Sequence, residues 1–275
     1  MADQNVSAEE VYAAVKEAQR ISGIEMYTVD TGKSLDGVYL GSNNVRNVEK
    51  PKVVMLIGDG VTYTEAGALW HLFDSKLNMP ITKVNTSQAS RLDMSDYNTL
   101  ILVSGNYGSL GESNINKIKD WVRDGGTLIL VRNAVSWAIR SKLVEEELAK
   151  DEDNNSTNQR FDYVTAPDRL GAREIGGSMY MTKLDITHPI GFGYTNRDLP
   201  VYRNHSNFVK PSKSPFNTVA KYTSNPLLSG YIHSKNLERV KNTASVMVSN
   251  LGRGRAVLFV DDPAFRGYWY GTNKL

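Results

Sequence analysis

Cysteine is absent from all 275 residues. That absence excludes a disulfide, a thiolate nucleophile and a sulfur-ligated metal at once. It leaves the compartment open, because a cysteine-free chain folds equally well in reducing and oxidising surroundings. An excess of one charge is also lacking: 32 Lys and Arg stand against 30 Asp and Glu, a net charge of +2. Both signs are spread along the chain, so charge names neither nucleic acid nor an anionic membrane as a partner. No stretch approaches the ~20 apolar residues of a membrane span. Met1 to Ser7 lacks the basic-then-apolar order of a secretion signal, and the chain reads as soluble and untargeted. What is present is ordinary for a globular protein, with 40% hydrophobic and 23% charged residues. That is enough for one sizeable core, with or without an appendage.

Residues 1–50 read as the appendage. Ser7 with Glu10 makes a capping box, and Val11, Ala14, Val15, Ala18 and Ile21 recur at helical spacing up to Gly23. Two short extended pieces are expected near Met26 to Val29 and Val38 to Leu40, then a polar lead from Asn43 to Lys50.

Residues 51–275 read as an alternating α/β body. Val53 to Ile57 is a continuous apolar run ending in Gly58-Asp59-Gly60, the pattern of a strand buried on both faces. A helix from about Thr64 to Phe73 is expected next, then strands at Ile81 to Val84 and Thr99 to Val103. A helix at Ser113 to Arg123, a strand at Thr127 to Val131 and a helix from about Ser136 to Ala149 complete the series. The alternation predicts a three-layer, doubly wound, mostly parallel sheet. Lys150 to Gln159 has almost nothing to bury and reads as a flexible loop. Short β-like stretches follow at Met179 to Leu184, Thr218 to Tyr222 and Ala244 to Val248, before the strong strand Ala256 to Val260.

Open α/β sheets bind ligands beyond the carboxyl ends of their strands. Three loops qualify there: Gly58-Asp59-Gly60, Ser104 to Gly108, and Arg132 to Ser136. Their glycines could admit an anion, but a tight strand-to-helix turn explains them as well. No G-x-G-x-x-G or P-loop pattern occurs, so nucleotide binding is not expected. His71 with Asp74 could hold one edge of a metal site, although Leu69, Trp70 and Phe73 favour a packed histidine. His188-Pro189 and Asp262-Pro263 read as turns. Adjacent Asp261 and Asp262 should point to opposite faces if extended. Arg266, Tyr268, Trp269 and Tyr270 either stack on a ligand or cover the core, and core cover is the simpler reading.

The strand Thr99 to Val103 with its glycine loop, the segment Trp121 to Gly126 and the strand Thr127 to Val131 resemble the class I glutamine amidotransferase-like fold, of flavodoxin-like architecture. The carboxyl-terminal half resembles, more narrowly, the amidotransferase-like domain that follows the catalytic domain in a bacterial branch of zinc carboxypeptidases. Ile175-Gly176-Gly177, Leu184 to Tyr194 and Leu258 to Trp269 carry that likeness. It implies an accessory role, an upstream peptidase domain as partner with the opening helix as the tail of that connection, and export from a bacterial cell. Amidotransferases set a cysteine on the elbow after a central strand, and Asn133 stands nearest that place by this comparison. Ser136, the nearby hydroxyl, lacks a G-x-S-x-G setting and reads as a helix-surface or capping serine.

The peptidase's His-x-x-Glu zinc pair is absent, since Asp74, Gly191, Phe208 and Asn236 lie three residues beyond the four histidines. The reading is therefore a non-catalytic, pseudoenzyme-like domain with no catalytic residue, metal or cofactor assigned. Asp59, Glu65, Asn106 and Asn133 are the pocket candidates. The first two lie where this fold often sets acids, although Glu65 in a first helical turn also complements the helix dipole. Two other classes stay open: a small hydrolase working through Asp59, Glu65 or His71, and a carbohydrate or peptide binder using the closing aromatics.

Overall fold

The computed structural model describes residues 5–45, 48–149 and 160–275. The chain divides into two compact units, Met1–Lys50 and Pro51–Leu275. In the first, α1 (Ala8–Ser22) starts at the expected capping box, with Glu10 N–H donating to Ser7 Oγ. It ends at Gly23, whose φ of 66° is the left-handed conformation that glycine adopts without a Cβ penalty. None of its residues is buried. The extended pieces expected near 26–29 and 38–40 form no strand. They have no pairing partner among the described residues, and a lone extended segment has no ladder to hold it.

The second unit is built on one nine-stranded sheet. Its strands are β1 (Val53–Ile57), β2 (Thr82–Asn85), β3 (Thr99–Leu102), β4 (Thr127–Val131), β5 (Ser178–Leu184), β6 (Asp198–Arg203), β7 (Thr218–Ser229), β8 (Ala244–Leu251) and β9 (Gly254–Phe259). They lie in the order β2-β1-β3-β4-β9-β8-β7-β5-β6. The first five run parallel, in the 2-1-3-4-5 arrangement of flavodoxin-like sheets with β9 in fifth place. The remaining pairings, from β9 to β8 and on to β6, are antiparallel. The sheet is thus mixed, and the expectation of a mostly parallel one is corrected. The difference lies in residues 178–251, where β5 and β6 alternate buried and exposed side chains and no connection crosses over to make a parallel pair.

The parallel half behaves as its apolar strands require. Val54 and Leu56 of β1 face one layer with Leu100, Leu102, Ile118 and Val122. Val53 and Met55 face the opposite layer with Ile101, Val103, Ala66, Leu69 and Phe73. Helix α3 (Gly111–Arg123) and α4 (Asn133–Arg140) cover the first face, and α2 (Tyr63–His71) covers the second. The expected helix over 136–149 starts earlier and stops at Arg140, because Lys142 takes a φ of 57° and turns the chain away. Leu148 then bridges to Val209. Two short helices, α5 (Ala166–Gly171) and α6 (Ser234–Val240), complete the unit. The polar segment 150–159 lies outside the described residues. Among those described, no helix is long and apolar enough to cross a membrane.

Candidate functional site

The carboxyl ends of β4 and β9 hold the densest cluster of buried charge. At the end of β4 the chain turns sharply into α4 through Arg132, which adopts φ 52° and ψ −112°. A non-glycine residue held there costs about 1–3 kcal/mol. Its N–H donates to Phe259 O at 2.8 Å, and its C=O accepts from Val135 N–H at 3.0 Å. Strand, strained residue and helix together have the form of a nucleophile elbow. The residue at the strained position is Arg132, one before Asn133.

Arg132 cannot act as a nucleophile. Its guanidinium donates to the carboxylate of Glu65, which the first turn of α2 points over the strand ends. Glu65 is only 8% exposed, and burial raises its pKa against the pull of Arg132. Asp262 adds a second negative charge to the pair and is likewise raised by burial. Asp262 Oδ1 also accepts from Ala264 N–H at 2.9 Å, making the turn expected before Pro263. Among the described residues, Glu65 Oε2, Arg132 Nε and Asp262 Oδ2 have no hydrogen-bond partner.

Beside this group lies a second network that the sequence did not announce. Arg203, at the end of β6, is fully buried and reaches Asp261 Oδ1 at 3.0 Å. Tyr222 and Ser245 donate to Asp261 Oδ2 at 2.6 and 2.7 Å. Burial works against ionisation of Asp261, but Arg203 and its other neighbours overcome this and hold its pKa at about 2. His205 Nε2 comes within 3.2 Å of Asp261 Oδ1 without the alignment of a full hydrogen bond. Burial, then the charge of Arg203, depress the His205 pKa to about 4, so its ring is neutral at pH 7. Nδ1 accepts from Asn207 N–H at 3.3 Å, which leaves the proton on Nε2, facing Asp261. Arg203 also donates to Asn207 O, and Asn207 Nδ2 donates to Asn133 Oδ1 at 2.7 Å, tying this network to the start of α4.

The four sequence candidates fare differently. Glu65 enters the buried cluster and Asn133 borders it. Asp59 is exposed, and its backbone C=O accepts from Thr86 Oγ1 at 3.0 Å. Asn106 is exposed too, with its N–H donating to Gly60 O at 2.7 Å and its side chain accepting from Gly108 N–H. Those two residues shape the loops after β1 and β3, which are stapled together by Thr62 N–H donating to Ser104 O. His71, expected to be packed, is exposed, with Ser75 as its neighbour, because α2 turns Ala66 and Leu69 to the sheet and leaves His71 off that face. Ser136, expected on a helix surface or as a cap, is buried within α4, and its Oγ has no hydrogen-bond partner among the described residues. His188 does cap a turn, accepting from Ile190 N–H at 3.1 Å. Among the described residues, no group of three His, Asp or Glu could hold a metal ion.

No family model matches the chain, and no curated protein does. Solved structures with a distant likeness include a ThuA-like protein from Parabacteroides merdae, at 14% identity and TM-score 0.49, covering 77% of this chain and 79% of that one. A glutamine amidotransferase from Thermotoga maritima shares 13% identity over 77% of this chain and 76% of its own, with a TM-score of 0.47. An exo-β-1,4-mannosidase from an Opitutaceae bacterium is 15% identical, with a TM-score of 0.44, and this chain spans 33% of its length. All three likenesses are too remote to assign an activity. The α/β class stated above rests on the strand order and pairing of the chain itself.

Proposed function

We propose that this chain is a non-catalytic α/β unit of the amidotransferase-like kind, in which the elbow serves as a structural lock. The observation that carries the reading is Arg132: the strained position holds a guanidinium bound to a buried carboxylate. The flavodoxin-like order of the five parallel strands supports the same reading. Attachment to a zinc carboxypeptidase-type protein as an accessory domain is the narrower form of the proposal. It rests on the likeness of residues 175–177, 184–194 and 258–269 alone.

The test is turnover of glutamine, simple amides and carboxyl-terminal peptides by the purified chain, with its metal content measured in parallel. The expected result is no turnover and no stoichiometric zinc. Turnover lost in Glu65→Gln or His71→Ala would overturn the proposal and favour a hydrolase at the strand edge.

A further inference from the structure

At the end of the sheet opposite to Arg132, β4 begins at Thr127 beside Arg255 of β9, and Arg255 pairs in turn with Asn250 of β8. Two residues further along, Val257 of β9 pairs with Val248 of β8. Residues directly opposite one another on antiparallel strands share a face, and so do residues two apart on one strand. Arg255, Asn250, Val257 and Val248 therefore stand on one face of the sheet. A cavity of about 380 Å³ opens over them, walled by the turn from His188 to Ile190 and by Phe216 and Asn217. That volume lies within the range of small-molecule sites. We propose that this cavity binds a small organic monocarboxylate with an apolar body.

The charge of the lining selects the carboxylate. Arg255 brings a guanidinium, and no Asp or Glu stands among the described residues that line the cavity. A guanidinium meets a carboxylate through two parallel N–H···O bonds and balances its single negative charge. A phosphate dianion would lack a second cation there. His188 Nδ1 accepts from Ile190 N–H at 3.1 Å, so the proton of the neutral ring sits on Nε2, a further donor. Burial lowers the pKa of His188, and the charge of Arg255 lowers it further against the pull of Asp185, which keeps the ring neutral at pH 7. Asp185 itself lies outside the lining, its Oδ1 accepting from Thr187 N–H at 3.0 Å and from Thr187 Oγ1 at 2.6 Å.

The floor and wall select the apolar body. Val248 and Val257 belong to the buried core of this face, and Ile190 packs against the same core. Phe216 is 82% exposed at the cavity wall, a flat aromatic face that a ring or short chain lying on the valines would withdraw from water. The wall is also preorganised, which lowers the ordering cost of binding. Asn217 is clamped through its backbone, its C=O accepting from Val248 N–H at 2.8 Å and its N–H donating to Ser214 O at 3.3 Å. The loop that presents Phe216 is therefore held against β8 before any ligand arrives.

Calorimetric titration of the full chain with benzoate, phenylacetate and hexanoate tests this. At least one should bind with a Kd between about 10 µM and 1 mM, and Arg255→Gln and Phe216→Ala should each weaken it about tenfold or more. Both residues are exposed, so these variants should fold as the parent does. Arg91→Gln, which removes an exposed cation outside the cavity, should leave binding unchanged. Benzamide lacks the charge and acetate lacks the apolar body, and each should bind about tenfold more weakly or worse. Binding of none of the three acids at about 10 mM would overturn the proposal, as would binding that survives Arg255→Gln or is matched by benzamide or acetate. Saturable binding of inorganic phosphate lost in Arg255→Gln would overturn it too, and reassign the cavity to inorganic anions.

Discussion

Arg132 and Glu65 are 67 positions apart in sequence, yet their side chains form a buried ion pair across the carboxyl ends of β1 and β4. The pair holds in place a backbone conformation that an arginine adopts only under constraint. The contact ties the first turn of α2 to the residue that caps α4.

Breaking that contact from either side should be costly. Glu65→Ala leaves a largely buried guanidinium without its partner, and we expect a loss of about 3 kcal/mol in urea unfolding. Arg132→Gly relieves the backbone but strands Glu65, so it should also destabilise. A double-mutant cycle over Glu65→Ala and Arg132→Gly should show coupling of about 1 kcal/mol or more. Additive losses would mean that the ion pair does not hold the elbow.

Arg203 has no solvent to retreat to. Asp261→Asn keeps the shape of the site but removes the charge that balances Arg203, and should cost about 3–5 kcal/mol. Arg203→Met with Asp261→Leu should recover most of that loss, because uncharged partners demand no compensation. Denaturation midpoints of the single and double variants check the order.

The pH dependence has opposing contributions. His205 lies at about 4 in the fold, below its ordinary value of 6.5, so the native state binds fewer protons. Its contribution to stability is complete above about 6.5 and is lost as pH falls through about 4. Asp261 has the same sign, with its contribution lost as pH falls through about 2. Glu65 and Asp262, raised by burial, contribute below the ordinary carboxylate range and lose that contribution as pH rises through their raised values. The stability advantage of the parent over His205→Gln should therefore shrink between pH 6.5 and 4. A constant difference across that window would exclude a neutral, buried His205.

Gly254 starts β9 against the end of α3. A Cβ there would collide with the backbone oxygens of Val122 and Gly126, neither of which can swing aside as a side chain would. Gly254→Ala should lower stability by about 2 kcal/mol or more and shift the thermal midpoint accordingly.

Legibility in the sequence followed the range of the interactions. Thr127–Val131 forms the strand its apolar run predicts, and α1 begins at its predicted capping box. The strand Asp198–Arg203 was missed: Pro200 interrupts its pattern, and its burial alternates in single residues that resemble loop composition. The helix expected over 136–149 was overextended because Leu143, Val144 and Leu148 keep an apolar rhythm after the chain has turned. Glu65 was singled out because the resembled fold often sets acids at that place, although its position in a first helical turn also suited the helix dipole. Arg203, His205 and Tyr222 were not, since nothing adjacent to them in sequence marks them as partners of Asp261.

The sequence by itself determined the central parallel strands β1, β3, β4 and β9, because strands covered by layers on both faces are rich in apolar residues. It also determined that no thiol chemistry could occur. Tertiary structure alone decided the antiparallel extension and the charge at the strand edge. Arg203 and Asp261 are 58 residues apart, and Tyr222 and Asp261 are 39 apart. Such pairs follow no helical or strand period, and only the closing of the sheet brings β6, β7 and β9 near enough for their charges to be buried together.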